Sequence, residues 1–398
     1  MKKLLVVKSD ILPLSETFIK EQILSCMRWK PRLIGRALCA NGLALDNIDT
    51  ALAPPPRPRL INKILWKVAK KSLPDPDILR FLEREQASLV HVHFGMDLVG
   101  WWPELRRLGL PVVTTLHGYD INTHRAHWEE TGDAWVRRYP RRLLDIARHP
   151  SAHFIAVGEA VRERAIAFGI PSEKLAVKYI GIDTSRFAPR ADQPIAQRKK
   201  KILCVGRMVE NKGGCYLIEA FARVRHEIPD AELTMIGAGE LLESCKELAA
   251  RLNVPVRFTG GTPHDQIIEE LHDSRVFCLP SITIASGASE GMPIVVMEAQ
   301  ACGIPVVTSA RGGATEGIID GVTGFAFAER DVDALAAHLV RFLTDDDLAE
   351  HMSKAAREHA VAKFDLVACT ARLEDYYDEI AYLPRQASAS NLSHRSIL

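Results

Sequence analysis

The sequence predicts an α/β protein made of two doubly wound, parallel-sheet domains that face each other across a cleft. Three observations carry that expectation. Short β-branched runs alternate with longer amphipathic stretches along most of the chain, the pattern of strands covered on both faces by helices. The rhythm breaks near residues 183–201, where F-A-P-R-A-D-Q-P-I-A-Q-R-K-K-K is polar, basic and proline-bearing, and then restarts. The length of 398 residues exceeds one ordinary core and suits two domains.

Taken in order, Leu4–Val7, Leu89–Val92, Val112–Leu116 and Phe154–Val157 read as buried strands of the first domain, residues 1–188. Ile202–Val205, Leu233–Ile236, Val256–Phe258, Val276–Leu279 and Val306–Thr308 read as those of the second, residues 189–364. Helical stretches such as Cys215–Glu227, Leu241–Arg251 and Gln266–Asp273 separate them. Residues 386–398 lack an apolar face and read as a disordered tail. Ligands of such sheets bind beyond the carboxyl ends of the strands, so the residues just after each strand are the functional candidates.

Composition narrows the class. A net charge of +1 gives no support to a nucleic-acid partner. The eight cysteines are scattered, mostly in apolar runs, with no spacing for a zinc site. They suit a reducing compartment. The apolar start M-K-K-L-L-V-V-K is cut short by Lys8 and Asp10, too soon for an export signal, and no run of about 18 apolar residues follows. The expected location is cytoplasmic, extending to the inner face of a membrane.

The strongest motif is E-G-M-P-I-V-V-M-E, which puts Glu290 and Glu298 eight residues apart after the Val276–Leu279 strand. Pro293 suits a first helical turn and Gly303 a helix end. Eight helical residues rise about 12 Å and return to nearly the same face. One carboxylate can then hold each hydroxyl-rich end of a nucleotide sugar, with the helix N-terminus between them. The plain alternative is a helix bearing two exposed glutamates.

A second motif, Gly206-Arg207-Met-Val-Glu-Asn-Lys212-Gly213, follows the strand Ile202–Val205. Arg207 and Lys212 can both reach a diphosphate, and Gly213 with Gly214 lets the backbone approach. Two cations at the leaving group can do the work of a magnesium ion, so neither metal nor cofactor is expected. A basic turn at a helix start reads the same way. Gly237 and Gly239 form an incomplete glycine fingerprint after Leu233–Ile236, suited to a base or ribose or simply to a tight turn.

In the first domain, His117 and Gly118 follow the strand Val112–Leu116. His117 is placed to meet a donor-sugar hydroxyl and Asp120 to position an acceptor. Ser15, Glu16 and Thr17 follow the first strand, where Ser15 and Thr17 suit a helix cap and the loop suits a phosphate or acceptor. His91 and His93 flank Val92 at another strand end, either structural or on the acceptor side. Asp75-Pro-Asp77 spells D-x-D but precedes a helical stretch and reads as a turn.

In this order, S-E-T-F-I, T-L-H-G-Y-D, Y-I-G-I-D-T-S-R-F, V-G-R-M-V-E-N-K-G, I-G-A-G-E and E-G-M-P-I-V-V-M-E-A-Q-A-C-G-I-P-V-V resemble the GT-B-fold retaining glycosyltransferases of the glycosyl transferases group 1 family (glycosyltransferase family 4). The likeness is to the bacterial exopolysaccharide type, such as colanic-acid and amylovoran enzymes, and runs from about residue 10 to 325. It implies that residues 1–188 bind the acceptor and 189–364 the nucleotide sugar. By the same likeness, Arg207 and Lys212 bind the diphosphate, Glu298 the ribose, and Glu290 with the backbone of Gly291, Met292 and Pro293 the donor sugar, His117 lying opposite. A C-terminal helix, about residues 365–385, is implied to cross back onto the first domain. P-L-S-E-T-F replaces the glycine-rich loop that many relatives carry after the first strand.

The expected reaction is transfer of a hexose, from a UDP-sugar first and GDP-mannose second, with retention and without metal. The acceptor is a saccharide, expected to be lipid-linked, in surface or exopolysaccharide synthesis. Two rival readings on the same fold are a sugar-nucleotide epimerase or hydrolase and a non-catalytic subunit. Ile61–Lys71 is basic and amphipathic, and Arg137, Arg138, Arg141 and Arg142 with Trp101 and Trp102 form a second cluster; both suit an anionic membrane surface or a solvated helix face.

Overall fold

A computed structural model describes residues 1–40, 42–56, 73–309 and 311–382. Its strands run β1 (Lys2–Val7), β2 (Asp10–Ile11), β3 (Trp29–Gly35), β4 (Ala37–Leu38), β5 (Thr50–Leu52), β6 (Leu89–His93), β7 (Val112–Leu116), β8 (Ala152–Ala156) and β9 (Leu175–Val177) in the first lobe. The second lobe holds β10 (Lys201–Val205), β11 (Glu232–Ile236), β12 (Val256–Gly260), β13 (Val276–Leu279), β14 (Val306–Ser309) and β15 (Gly324–Phe327). The large sheets have the orders β5-β3-β1-β6-β7-β8-β9 and β12-β11-β10-β13-β14-β15, and every described pair within them is parallel. The central strands are buried on both faces, as in L-V-H-V-H of β6 and V-F-C-L of β13. That is why they stand out in the sequence as unbroken apolar runs.

Besides the two-residue β2 and β4, four strands of the large sheets escape the sequence pattern: β3, β5, β9 and β15. In β3, Lys30, Pro31 and Arg32 hide the signal. Pro31 is tolerated because only Leu33–Gly35 pairs with β5, so its missing N–H faces no partner strand on that side. The other three are short, with two of them closing the first sheet and β15 closing an edge of the second.

Each sheet reverses direction once, between β1 and β6 in the first lobe and between β10 and β13 in the second. These switch points open a crevice at the carboxyl ends of the strands. The loops leaving β10, β13 and β7 therefore deliver Arg207 and Lys212, Glu290, and His117 to the region between the lobes.

The lobes are joined by specific bonds. Glu316 of the second lobe accepts from the amides of Glu159 and Ala160 at 2.8 and 2.6 Å and from the Tyr179 hydroxyl at 3.0 Å. It thus caps the Glu159–Phe168 helix, whose own N-cap, Gly158, has no side chain to do so. The C-terminal helix Leu366–Tyr382 packs on the first sheet through Leu373, Tyr376, Tyr377 and Ile380. Glu374 there is buried and accepts from the amides of Met27, Arg28 and Trp29 at 3.1, 2.8 and 2.9 Å. All eight cysteines are free thiols, and burial pushes those of Cys204 and Cys302 up to about 12.

Two sequence expectations about helices need correction. The Ile294–Ala301 helix starts after Pro293, which is its N-cap with extended ψ, not its first turn. Glu290 therefore lies in the loop before the helix, and the two-turn spacing from Glu290 to Glu298 does not apply. Neither Ser15 nor Thr17 caps the Thr17–Leu24 helix; Thr17 is its first residue, and no side-chain cap bond forms. Asp75 does cap the Pro76–Arg84 helix, accepting from Asp77 and Ile78, as a turn reading of D-P-D requires. Ile61–Lys71 and the tail lie outside the described residues. No described helix is long and apolar enough to cross a membrane.

Candidate active site

Lys212 ends a short 3-10 turn, Glu210–Lys212, and Gly213 follows in the left-handed region at φ 67°. A β-carbon on Gly213 would sit 2.0 Å from the Pro280 carbonyl oxygen, so this turn docks flush against the end of β13. The docking puts Lys212 Nζ 2.5 Å from Glu290 Oε1, which also accepts from the Ser281 hydroxyl at 2.7 Å. Arg207 and Gly206 line a cavity of about 300 Å³ with Lys212, Met208 and Tyr216. The second-lobe residues Gly206, Arg207, Lys212, Gly213 and Glu290 are thus brought to one place, with Ser281 added.

Gly237 and Gly239 are placed differently. A β-carbon on Gly237 would meet the Gly206 carbonyl oxygen at 1.9 Å, and one on Gly239 the Met208 carbonyl oxygen at 2.3 Å. Their close approach is to the neighbouring loop of the same lobe, as the tight-turn alternative requires.

Across the crevice, the loop carrying Glu290 rests on the turn after β7. Asn122 Nδ2 donates to the Ser289 and Glu290 carbonyls at 3.1 and 3.0 Å, and the His124 amide donates to the Ser286 carbonyl at 2.8 Å. Gly118, at φ 115°, and Gly291 meet with no room for side chains: a β-carbon on Gly291 would lie 1.9 Å from the His117 carbonyl oxygen. Met292 is buried beside them, and Pro293 is the N-cap of the Ile294–Ala301 helix, its carbonyl accepting from the Val296 amide at 3.0 Å.

His117 is half-buried between the rings of Phe18 and Phe94. Its Nε2 meets His93 Nδ1 at 3.1 Å, and His93 stacks on His91 at 4.3 Å between centroids. His91 in turn bonds Thr115 and the C-terminal Tyr377 at 2.7 and 2.6 Å. Burial drives all three histidines toward the neutral form, His91 to about 3, and the Lys8 ammonium pushes His93 and His117 the same way. His91 and His93 therefore belong to a buried stack that supports His117.

Two acceptor-side expectations are corrected here. Asp120 is fully buried, and its carboxylate accepts from the amides of Gly95, His117 and Gly118 at 2.9, 3.1 and 3.1 Å. It fixes the His117–Gly118 turn and is not open to an acceptor; burial raises its carboxyl to about 6, against the pull of those amides. Glu16 is also buried, paired with Lys8 at 2.9 Å, and Lys8 reaches Asp97 at 3.1 Å. Of the three candidates there, Ser15 is exposed and Thr17 half-buried. Trp101 is buried in the core, which removes it from any membrane-facing cluster.

Glu298 is 4% exposed, and His264 Nε2 lies 3.0 Å from its Oε1. His264, Ser281 and Glu316 were not singled out from sequence. Ser281 carried the signal that selected His117, since it stands in the loop just after β13; His264 opens the helix after β12 and Glu316 closes the short helix after β14.

Two doubly wound lobes with a cation pair and a carboxylate at the second switch point, facing a histidine turn from the first, define a glycosyltransferase of the GT-B fold. Comparison with known proteins agrees. Residues 185–359 match the family described as glycosyl transferases group 1, and residues 37–186 match glycosyltransferase family 4. The chain is 31% identical over 320 residues to a GDP-mannose-dependent alpha-(1-6)-phosphatidylinositol monomannoside mannosyltransferase of Mycolicibacterium smegmatis, covering 76% of this chain and 80% of that one. It is also 31% identical to the amylovoran biosynthesis glycosyltransferase AmsK of Erwinia amylovora, covering 74% and 71%. The solved structure of Anabaena Alr3699/HepE in complex with UDP-glucose superposes with a TM-score of 0.77 at 19% identity, over 95% of this chain and all of that one. The chain belongs to the group 1 glycosyl transferases.

Proposed function

We propose that this glycosyltransferase moves a hexose from a nucleotide-diphosphate sugar to a saccharide acceptor, with retention and without a metal. The carrying observation is the meeting of Lys212 with Glu290 and Ser281 at the second-lobe switch point, beside Arg207 and opposite His117. In this reading Arg207 and Lys212 take up the negative charge that develops on the departing diphosphate. Glu290 and the Gly291–Pro293 backbone hold the sugar, Glu298 the ribose, and His117 a sugar hydroxyl.

The state of the carboxylates supports retention by attack from the leaving-group face. Glu290 is tied to Lys212 and Ser281, Glu298 to His264, and Asp120 to three amides. Each of these carboxylates is already held by protein partners through at least one oxygen. As the anomeric C–O bond to phosphate breaks, the acceptor oxygen forms its bond on the same face and its proton passes to the departing phosphate oxygen. The cations at the leaving group make a metal unnecessary for charge balance in this scheme.

UDP-sugars remain the first donors to test. The mannosyltransferase relatives put GDP-mannose beside them. The exopolysaccharide relatives favour a saccharide acceptor, lipid-linked, met by a cytoplasmic protein at the inner membrane face, where exposed Arg137 and Arg141 would meet anionic headgroups. The experiment is turnover with UDP-glucose and GDP-mannose in chelator, with the product's anomeric configuration read by NMR. Inversion, or free sugar released as fast as transfer, overturns the reading. Loss of turnover in chelator that added magnesium restores overturns the metal-free part. Salt-insensitive or absent binding to anionic vesicles removes the membrane part.

A further inference from the structure

Glu298 is not held in place by its own helix alone. His264 opens the His264–Asp273 helix, directly after the β12 loop, and aims Nε2 at Glu298 Oε1. The imidazole rests on Phe187, with centroids 5.3 Å apart, which limits its rotation. One carboxylate oxygen is therefore committed to the histidine, and Oε2 is left for a ligand.

Charged groups from two other segments and from His264's own helix face this spot. Glu21 comes from the Thr17–Leu24 helix of the first lobe, Arg186 from the connecting chain, and Asp265 from beside His264 itself. Arg186 lies 3.7 Å from Glu21 and 2.6 Å from Asp265. Glu298 is the largest influence on His264 and raises its pKa above 6.5; burial and Arg186 oppose, and Glu21 adds to the rise. The cluster thus favours an imidazolium beside a carboxylate, a charge-assisted bond stronger than a neutral one.

We propose that His264 is a positioning residue of the donor site, holding one oxygen of Glu298 so that the other meets the ribose hydroxyls of the nucleotide sugar. This rests on the donor reading given above. A carboxylate this deep has few bonds to fix its rotamer, and a binding group is only as well placed as the residues that lock it. The sign of the pH effect follows. Below its raised pKa His264 is charged and grips Glu298; as pH rises through that pKa the bond becomes neutral, and the carboxylate is held less firmly. Donor affinity should fall over the same range.

The test is calorimetric binding of UDP-glucose and GDP-mannose, whose diesterified diphosphates do not titrate there, at about pH 6 and about pH 8. Wild type is expected to bind more weakly at the higher pH. His264→Ala should lose roughly tenfold in affinity at the lower pH and show no pH step. His264→Gln, which can still donate to Glu298, should recover most of that affinity with no pH step, and it separates positioning from a folding defect. Affinity in His264→Ala equal to wild type at both pH values overturns the inference. If Lys212→Ala loses binding while His264→Ala does not, the donor site stands and this inference falls. If neither sugar nucleotide binds the wild type, the donor reading falls and takes this one with it.

Discussion

Lys212 Nζ lies 2.5 Å from Glu290 Oε1, so a cation from the β10 loop and a carboxylate from the β13 loop form one unit at the second-lobe switch point. A donor diphosphate bound there would share the lysine with Glu290. Lys212→Ala and Arg207→Ala are each expected to remove about 2–4 kcal/mol of transition-state stabilisation, measured as kcat/KM. Near-normal turnover in either variant contradicts the assignment.

Gly291 gives a test of the lobe contact. A β-carbon there would lie 1.9 Å from the His117 carbonyl oxygen, so Gly291→Ala must separate the two loops. Turnover should fall more than about tenfold, since small misplacements at reacting groups are costly. Far-UV circular dichroism should be unchanged. Full activity would mean that the contact seen between these loops is not the reactive arrangement.

Glu316 bridges the lobes through the amides of Glu159 and Ala160. Glu316→Ala is expected to cost about 1–2 kcal/mol of stability, the range of a lost helix cap. It should also increase the radius of gyration in solution scattering. An unchanged radius and melting curve would show that the cap does not hold the lobes together.

The histidine stack sets a pH dependence. His91 is neutral in the fold down to about 3 but titrates near its ordinary value when unfolded. The unfolded chain then binds an extra proton between those values, so stability falls as pH drops below about 6.5. In urea titrations, the advantage of wild type over His91→Gln should shrink by about 1.4 kcal/mol per pH unit in that window. Other titrating groups cancel in the difference. A constant difference means that His91 is protonated in the fold.

The parts of this molecule legible in its sequence were those that bury both faces or follow a buried strand. β1, β6, β7, β10 and β13 read as apolar runs, and the candidates at their ends, His117, Arg207, Lys212 and Glu290, all lie at the interlobe crevice. What sequence could not supply was which way a side chain turns. Asp120 and Glu16 stand in the right loops but point inward, to backbone amides and to Lys8. Ser281 and His264 earn their places through contacts 9 and 34 residues away. β3 was hidden by Lys30, Pro31 and Arg32, which stand where β5 does not pair with it.

The most direct measurement is a crystal structure with an intact UDP-sugar or GDP-mannose. The account predicts the pyrophosphate within ion-pair reach of Lys212 and Arg207, with the sugar lying between Glu290 and His117. A pyrophosphate bound instead in the first-lobe cavity lined by Arg36, Asp97 and Arg142 would contradict it.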